Sequence, residues 1–557
     1  MKKNSIIFWI ILILSAVLRV FQLGTVPVSP DWDEAALGYN AYTLLQTGRD
    51  EYGTWLPASI RSFGDYKPPV YAYLTIPSVA LFGLSVFSVR LPSAIMGILA
   101  VIGVYLLTQQ LLLFAGKQAI TKESRDILDR YQQHIALGSM ALLAISPWHL
   151  QFSRVAFEAN IGVTIHIWAI TVFLMSLNKR VLLPVSAFLF SLGMYAYHSE
   201  RVFLPLIGLM LIFLFRKELF EKKTLSYTLC SIAVVAVCLI PLVRIMTDDA
   251  TVARLKGTSS FTDQVKMLNR SIQKLDEDQK NGNRLGVFFD NRRLVWVKTA
   301  ISGYMSHFSF QWLFLSGDNP RHHAPSMGML YLWELPFMLL GILFLLRYVD
   351  LRTKIILIGW ILAAPVAASI TTGLPHGVRT LTFLPTFQIL VSMGLVFAYN
   401  LSKNYSTMLQ KIFGAVVIFS VCYGCLYYFT MYYVHMDAEV SEDWQYGYKQ
   451  VVEYTQDHKQ AYKKVVVSTS LDQSYIFFLF YTAYNPSAYL SRGGTGGMYG
   501  GDVRVAFDAY EFRPIHWESE VRDGSILYVG SPSDIPKGNV MQYTFLNGKP
   551  SFILADR

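Results

Sequence analysis

The chain has 557 residues, of which 53% are hydrophobic and only 15% charged, against about 25% charged in an ordinary soluble domain. That deficit excludes an ordinary soluble enzyme, and the 37 Gly and 22 Pro follow no triplet or low-complexity period, which excludes a collagen-like fibre and a disordered tail. The net charge of +10 contains no long basic run; in a membrane protein such an excess belongs in cytoplasmic loops, so no nucleic-acid partner is expected.

In chain order, Met1-Lys2-Lys3-Asn4 precedes an apolar run from Ile6 to Val20. Arg19, Gln22 and the lack of a small-residue cleavage pattern favour an uncleaved first span over a secretory signal. Apolar segments recur at about 88–114, 133–150, 159–177, 181–197, 202–215, 225–246, 327–346, 355–371, 378–399 and 412–433. With Lys2 and Lys3 inside, the basic clusters of 115–132, 178–180, 216–224, 347–354 and 400–411 all fall in the cytoplasm. This parity holds only if the apolar stretch 70–86 does not cross, so it is expected in or near the outer interface.

The expected fold class is an all-α polytopic membrane protein of about eleven spans with a small C-terminal α/β domain. Residues 1–433 form the membrane domain, with outer loops at 24–87 and 247–326; residues 434–557 form the outer domain. That domain alternates helix-like DWQYGYKQVVEYTQ, strand-like KKVVVSTS, helix-like DQSYIFFLFYTAY and strand-like SILYVGS. The four cysteines, Cys230, Cys238, Cys422 and Cys425, lie in apolar stretches and read as membrane thiols. The pair at 422 and 425 has the spacing of a redox or metal half-site but no second half.

Polar residues that are out of place in this scheme carry the functional signal. Arg154 in SPWHLQFSRVAFEANIG, Arg201 in YAYHSERVFLP and Arg379 in TTGLPHGVRTLTFLP stand on the outer side, against the positive-inside tendency. His198 and His376 neighbour the last two. Together they suit an anion such as a lipid-linked phosphate; the alternative is that each snorkels to outer head groups.

The first outer loop is acidic. Asp31, Asp33 and Glu34 sit in PDWDEAALGYNAYTLLQTG, where Pro30 and Asp31 open a short helix. Asp33 and Glu34 diverge by about 100° on a helix and so do different jobs, unless both merely favour its positive end. Lys67, followed by Pro68 and Pro69, is kept out of a helix interior and suits a phosphate at the head-group boundary; snorkelling is again the alternative. Glu158 lies just inside a span, four residues after Arg154, and either pairs with it structurally or takes part in chemistry.

Asp33-Glu34, Lys67-Pro68-Pro69, Arg90-Leu91-Pro92-Ser93-Ala94 and Arg154 with Glu158 together resemble glycosyltransferase family 39 and its relatives. These are the GT-C membrane enzymes typified by protein O-mannosyltransferases and lipid A aminoarabinose transferases. The resemblance continues through Tyr197-His198, Arg201, Ser316-Gly317-Asp318, Arg321-His322 and Pro375-His376-Gly377-Val378-Arg379, and it fades over 434–557.

It implies a polyprenyl-phosphate sugar donor and inverting transfer on the non-cytoplasmic face. It also implies Asp33 as base, Glu158 as the second acidic motif, and Lys67, Arg201 and Arg379 around the donor phosphate; the reading of out-of-place polar residues adds Arg154, His198 and His376 to that phosphate set and Glu34 as a further catalytic carboxylate. It implies no certain cofactor and admits a divalent metal ion. In aminoarabinose transferases an acid precedes the lysine of the Lys-Pro-Pro motif, where this chain has Tyr66, with Asp65 one position earlier.

An acceptor hydroxyl that attacks an anomeric carbon must lose its proton, and the departing lipid phosphate needs positive charge but no general acid. The implied partners are the lipid-linked donor, membrane lipids, and a protein, glycan or lipid acceptor. A transporter or flippase of a lipid-linked glycan shares the spans and basic residues. It would normally show internal repeats and midplane polar residues, and neither stands out clearly in the sequence.

Overall fold

The computed structural model describes residues 2–63, 65–246, 266–496 and 505–557. Residues 247–265, the start of the loop expected at 247–326, lie outside the described residues. The first half contains helices α1 (Lys2–Val20), α2 (Trp32–Thr47), α3 (Val70–Phe82), α4 (Val86–Gln118), α5 (Lys122–Ile145), α6 (Pro147–Ser153), α7 (Glu158–Ser176), α8 (Leu183–Gly193), α9 (Glu200–Leu214), α10 (Arg216–Leu219) and α11 (Leu225–Met246). It also contains a short hairpin, β1 (Ile60–Ser62) with β2 (Asp65–Lys67).

Each of the eleven apolar segments carries a helix. Among the described residues six helices are long and apolar enough to cross a membrane, or seven if the pair α5 and α6, bent by 58°, is one span. The chain is a multi-pass membrane protein. Proline shortens several helices: Pro147 divides α5 from α6, Pro365 follows the helix Leu351–Ala363, and Pro385 precedes the helix Thr386–Ser402. At 13 residues α3 is about 20 Å long, short of a hydrocarbon core of about 30 Å.

The chain divides into two compact units. The bundle unit comprises Met1–Ser15, Gly97–Gln151 and Ala159–Leu426. In it the helix Glu334–Tyr348 packs on Thr386–Ser402, which also packs on α5. Glycine permits this approach: a Cβ on Gly341 would fall 1.9 Å from the Leu390 carbonyl oxygen, and one on Gly394 would fall 1.8 Å from that of Phe337. α11 packs on α8 but leaves Leu229, Val237 and Ile240 exposed, a surface whose solvent is lipid. Cys230 is likewise exposed and Cys238 half-buried on α11; Cys422 is exposed and Cys425 half-buried on the helix Thr407–Thr430.

The first-loop unit comprises Ala16–Met96, Phe152–Glu158 and Tyr427–Arg557. α2 packs on α3 and on the helix Ser474–Tyr481. Behind that helix lies a mixed six-stranded sheet of β3 (Lys464–Ser468), β4 (Val505–Phe507), β5 (Tyr510–Arg513), β6 (Ile526–Gly530), β7 (Met541–Thr544) and β8 (Pro550–Ala555), in the order β4-β5-β3-β6-β8-β7. β3 runs parallel to β5 and β6. Its Val465, Val466 and Val467 are all fully buried, as a central strand covered on both faces requires.

The four elements read from the C-terminal sequence are present as Tyr448–His458, β3, Ser474–Tyr481 and β6. Four further strands complete the sheet. The boundary drawn at 433 falls inside a helical run that continues to Glu439, because loss of hydropathy does not itself end a helix.

Candidate active site

α2 begins where the sequence places it. Asp31 is the N-cap, in extended conformation at φ −81° and ψ 173°, and its Oδ1 accepts the Glu34 backbone N–H at 2.8 Å. Gly48, at φ 69°, ends the helix in the left-handed conformation. Asp33 and Glu34 leave this first turn in different directions and meet different cations.

Glu34 is sealed in. Arg90 Nε donates to its Oε1 at 2.9 Å and Arg90 Nη2 to its Oε2 at 2.8 Å, and the Ala156 N–H donates to Oε1 at 2.7 Å. The remaining Arg90 donors go to the carbonyls of Leu23, Pro27 and Ser29 at 3.3, 2.8 and 2.9 Å. All five N–H groups of the guanidinium are thereby used, and both side chains are fully buried. This geometry gives Glu34 a structural occupation: it anchors the turn that carries Asp33.

Asp33 keeps 31% of its side chain exposed and accepts from Lys67 Nζ at 2.5 Å. Lys67 is 9% exposed and stands at the end of the β1–β2 hairpin, paired in register with Ile60. Pro68 and Pro69 then hand the chain to α3. Burial alone lowers the Lys67 ammonium, but the charges of Asp33, Glu158 and Asp31 outweigh it and hold the group above its ordinary value. Glu158, itself buried, is therefore part of the same electrostatic cluster as Asp33 and Lys67.

Arg154 belongs to the framework beside them. It is buried, with Nη1 on the Leu18 carbonyl at 2.7 Å, Nη2 on that of Val26 at 3.2 Å and Nε on the Tyr432 hydroxyl at 3.1 Å. Its guanidinium also lies over the rings of Tyr432 and Tyr433.

A further buried acid, Glu51, escaped the sequence reading. Glu51 accepts from Asn40 Nδ2 at 3.1 Å, Thr495 Oγ1 at 2.9 Å and Tyr475 Oη at 3.3 Å, linking α2 to the C-terminal segment within this unit. Burial pushes its carboxyl up to about 7, against these hydrogen bonds.

The other four expected residues, His198, Arg201, His376 and Arg379, belong to the bundle unit. Arg201 Nε donates to the Met194 carbonyl at 3.2 Å, and His198 lies half-buried beside Tyr197. Arg379 Nη1 donates to Thr371 Oγ1 at 2.6 Å and to the Thr372 carbonyl at 2.7 Å. The His376 ring packs at a tilt of 36° against that of His322, with centroids 4.9 Å apart, and its backbone N–H donates to His307 Nε2 at 3.2 Å. His307 Nδ1 lies 2.8 Å from the Gly303 carbonyl, so one neutral tautomer satisfies both nitrogens. Burial keeps this ring neutral, its pKa lowered to about 4. Asp318 joins the group: its Oδ2 lies 2.8 Å from His322 Nδ1 and accepts from the Gly377 N–H at 2.6 Å. The sequence pointed to Asp318 and His322 only through family likeness.

The family described as dolichyl-phosphate-mannose-protein mannosyltransferase matches residues 66–120, a stretch that contains the Lys67-Pro68-Pro69 turn and Arg90. No curated protein matches the chain in sequence. The solved structure of ArnT from Cupriavidus metallidurans bound to undecaprenyl phosphate is similar, with a TM-score of 0.51 at 12% identity, over 99% of this chain and 97% of that one. The chain has the GT-C fold.

The apo ArnT structure gives a TM-score of 0.50 at 12% identity over the same shares of the two chains. The oligosaccharyltransferase AglB from Archaeoglobus fulgidus, in complex with an inhibitory peptide and a dolichol-phosphate, gives 0.49 at 14% identity over 86% of this chain. The chain spans 63% of the length of AglB. The GT-C fold accounts for the helical bundle joined to a small C-terminal sheet.

Proposed function

We propose that the chain is a membrane glycosyltransferase that moves a sugar from a polyprenyl-phosphate carrier to an acceptor hydroxyl on the outer face of the membrane. The observation that carries this reading is the Asp33–Lys67 pair, in which a partly exposed carboxylate and a buried ammonium meet at 2.5 Å on rigid supports. The short match to a mannosyltransferase family across 66–120 and the likeness to ArnT, whose structure holds undecaprenyl phosphate, support the choice of donor class.

In this mechanism the donor phosphate takes Lys67 as its counter-ion and Asp33 is released from it. The acceptor oxygen attacks the anomeric carbon from the face opposite the phosphate, while its proton passes to Asp33. The bond from the anomeric carbon to the phosphate oxygen breaks with its electron pair on that oxygen, where the Lys67 charge stabilises it. The sugar is transferred with inversion, and Asp33 ends protonated. Glu158 keeps Lys67 protonated and in place, and the Glu34–Arg90 pair fixes the helix turn that carries Asp33.

The test uses the purified chain in sealed proteoliposomes with a radiolabelled polyprenyl-phosphate hexose, following donor binding, transbilayer movement and transfer separately. Asp33→Asn is expected to bind donor and fail to transfer; Lys67→Met is expected to lose both. Full transfer by Asp33→Asn would remove the base assignment. Donor movement across the bilayer by the wild type, without transfer to any acceptor, would replace the enzyme reading with a flippase.

A further inference from the structure

The bundle unit holds a second cluster whose composition differs from that of the first loop and on which the proposed glycosyl transfer does not depend. Asp318, His322 and His376 each offer one ligand atom, and these atoms all lie within 4.8 Å of one another. Two of the three residues have atoms left over. Asp318 Oδ1 and His376 Nδ1 are buried and have no hydrogen-bond partner, and buried polar atoms are ordinarily satisfied.

The surroundings hold Asp318, His376 and the backbone next to His322 from behind. The Gly377 N–H fixes Asp318 through Oδ2 at 2.6 Å, and His307 Nε2 fixes the His376 backbone at 3.2 Å. Trp148 Nε1 donates to the Gly377 carbonyl at 3.0 Å, and Gln151 Nε2 donates to that of Arg321 at 2.7 Å. Gly377 has no spare room, since a Cβ there would fall 3.1 Å from Asp318 Oδ1 and 2.7 Å from Met329 Cε. Two loops 58 residues apart in sequence, at 318–322 and 376–377, are thus presented to one point.

We propose that Asp318, His322 and His376 form a binding site for a divalent first-row transition metal ion. Two imidazoles and one carboxylate are the donor set that zinc and its neighbours accept, whereas magnesium and calcium take oxygen ligands. Metal–ligand bonds of about 2 Å draw the three ligand atoms closer than they stand here, with Asp318 Oδ1 and His376 Nδ1 available without loss of an existing bond. The ion clamps the two loops together, and His307 and the Gly377 N–H orient its ligands from outside. Three protein ligands leave at least one position for water or an anionic oxygen.

The experiment uses the full chain in nanodiscs, stripped with chelator, dialysed and reloaded with zinc. Elemental analysis is expected to give one zinc per chain, and X-ray absorption at the zinc edge is expected to show two imidazoles and oxygen ligands. This measurement needs no variant and so does not depend on a mutant folding. His376→Ala and Asp318→Asn are expected to weaken zinc binding by 100-fold or more, whereas His323→Ala, one residue outside the set, keeps it.

Absence of zinc from the reloaded wild type would overturn the proposal. So would equal zinc in His376→Ala, displacement by magnesium at comparable concentration, or an absorption spectrum without two imidazoles. Asp33→Asn is expected to load zinc like the wild type, so failure of the glycosyl-transfer reading and failure of the metal site are separately visible.

Discussion

The two acid–base pairs on the first turn of α2 differ in what they leave open. Glu34 and Arg90 are both sealed, with a bidentate contact and every guanidinium donor used. One residue earlier, Asp33 meets Lys67 through a single oxygen and keeps nearly a third of its side chain exposed. Adjacent carboxylates on one helix turn have therefore taken separate tasks. The closed pair holds the backbone, and the open pair leaves part of its carboxylate exposed.

The comparison breaks most visibly at Arg90. Removing one partner of a buried ion pair leaves the other charged and uncompensated, which costs about 3–5 kcal/mol. Arg90→Met is expected to lower the yield and thermal stability of the purified protein by that order, and the double change Glu34→Gln with Arg90→Met to recover part of it. Equal stability of wild type and Arg90→Met would show that the closed pair holds nothing.

The open pair gives a contrasting expectation. Asp33→Asn keeps the size of the side chain and removes its basicity, and loss of a general base slows transfer by about 10²–10⁴-fold. Stability is expected to fall by less than in Arg90→Met, because Asp33 is partly exposed and Glu158 and Asp31 still face the buried Lys67 ammonium. A loss of stability as large as that of Arg90→Met would erase the distinction between the pairs.

Some of this was readable in the sequence. The capping residue Asp31 marks the start of α2, and the 100° step of a helix separates Asp33 from Glu34 before any partner is known. The eleven apolar segments and four C-terminal elements follow from hydropathy and periodicity. The β1–β2 hairpin did not show, because its strands have three residues each and turn at Phe63, a non-glycine residue at φ 51°. Nor did the partners of the charges: Arg90 lies 56 residues from Glu34, and Glu51 meets Thr495 across 444. Local pattern fixes which residues are out of place, and only tertiary packing decides which become neighbours.

Glu51 extends the contrast to a buried acid whose side-chain hydrogen bonds come from the neutral groups of Asn40, Tyr475 and Thr495. Its folded pKa is raised from 4.5 to about 7, so the folded state binds the proton more tightly than the unfolded one. Stability from this group is full below about pH 4.5 and is lost as pH rises through about 7, by about 3 kcal/mol in total. The unfolding temperature of Glu51→Gln, measured from pH 5 to 8, is expected to lack the decline that the wild type shows. Parallel curves for the two proteins would place the pH dependence elsewhere.

The smallest effect separates charge from capping at Asp31. Its Oδ1 accepts the Glu34 N–H, and its charge also helps hold Lys67 protonated. Asp31→Ala loses both and is expected to cost about 1 kcal/mol through the cap. Asp31→Asn retains an oxygen for the cap and loses only the charge. If capping dominates, Asn is close to wild type in unfolding temperature, and donor affinity falls only slightly in both variants. If Asn is as unstable as Ala, the Asp31 charge is what the turn needs. The anionic cluster around Lys67 then acts as one unit, and the separation between the closed and open pairs is less complete than their geometry implies.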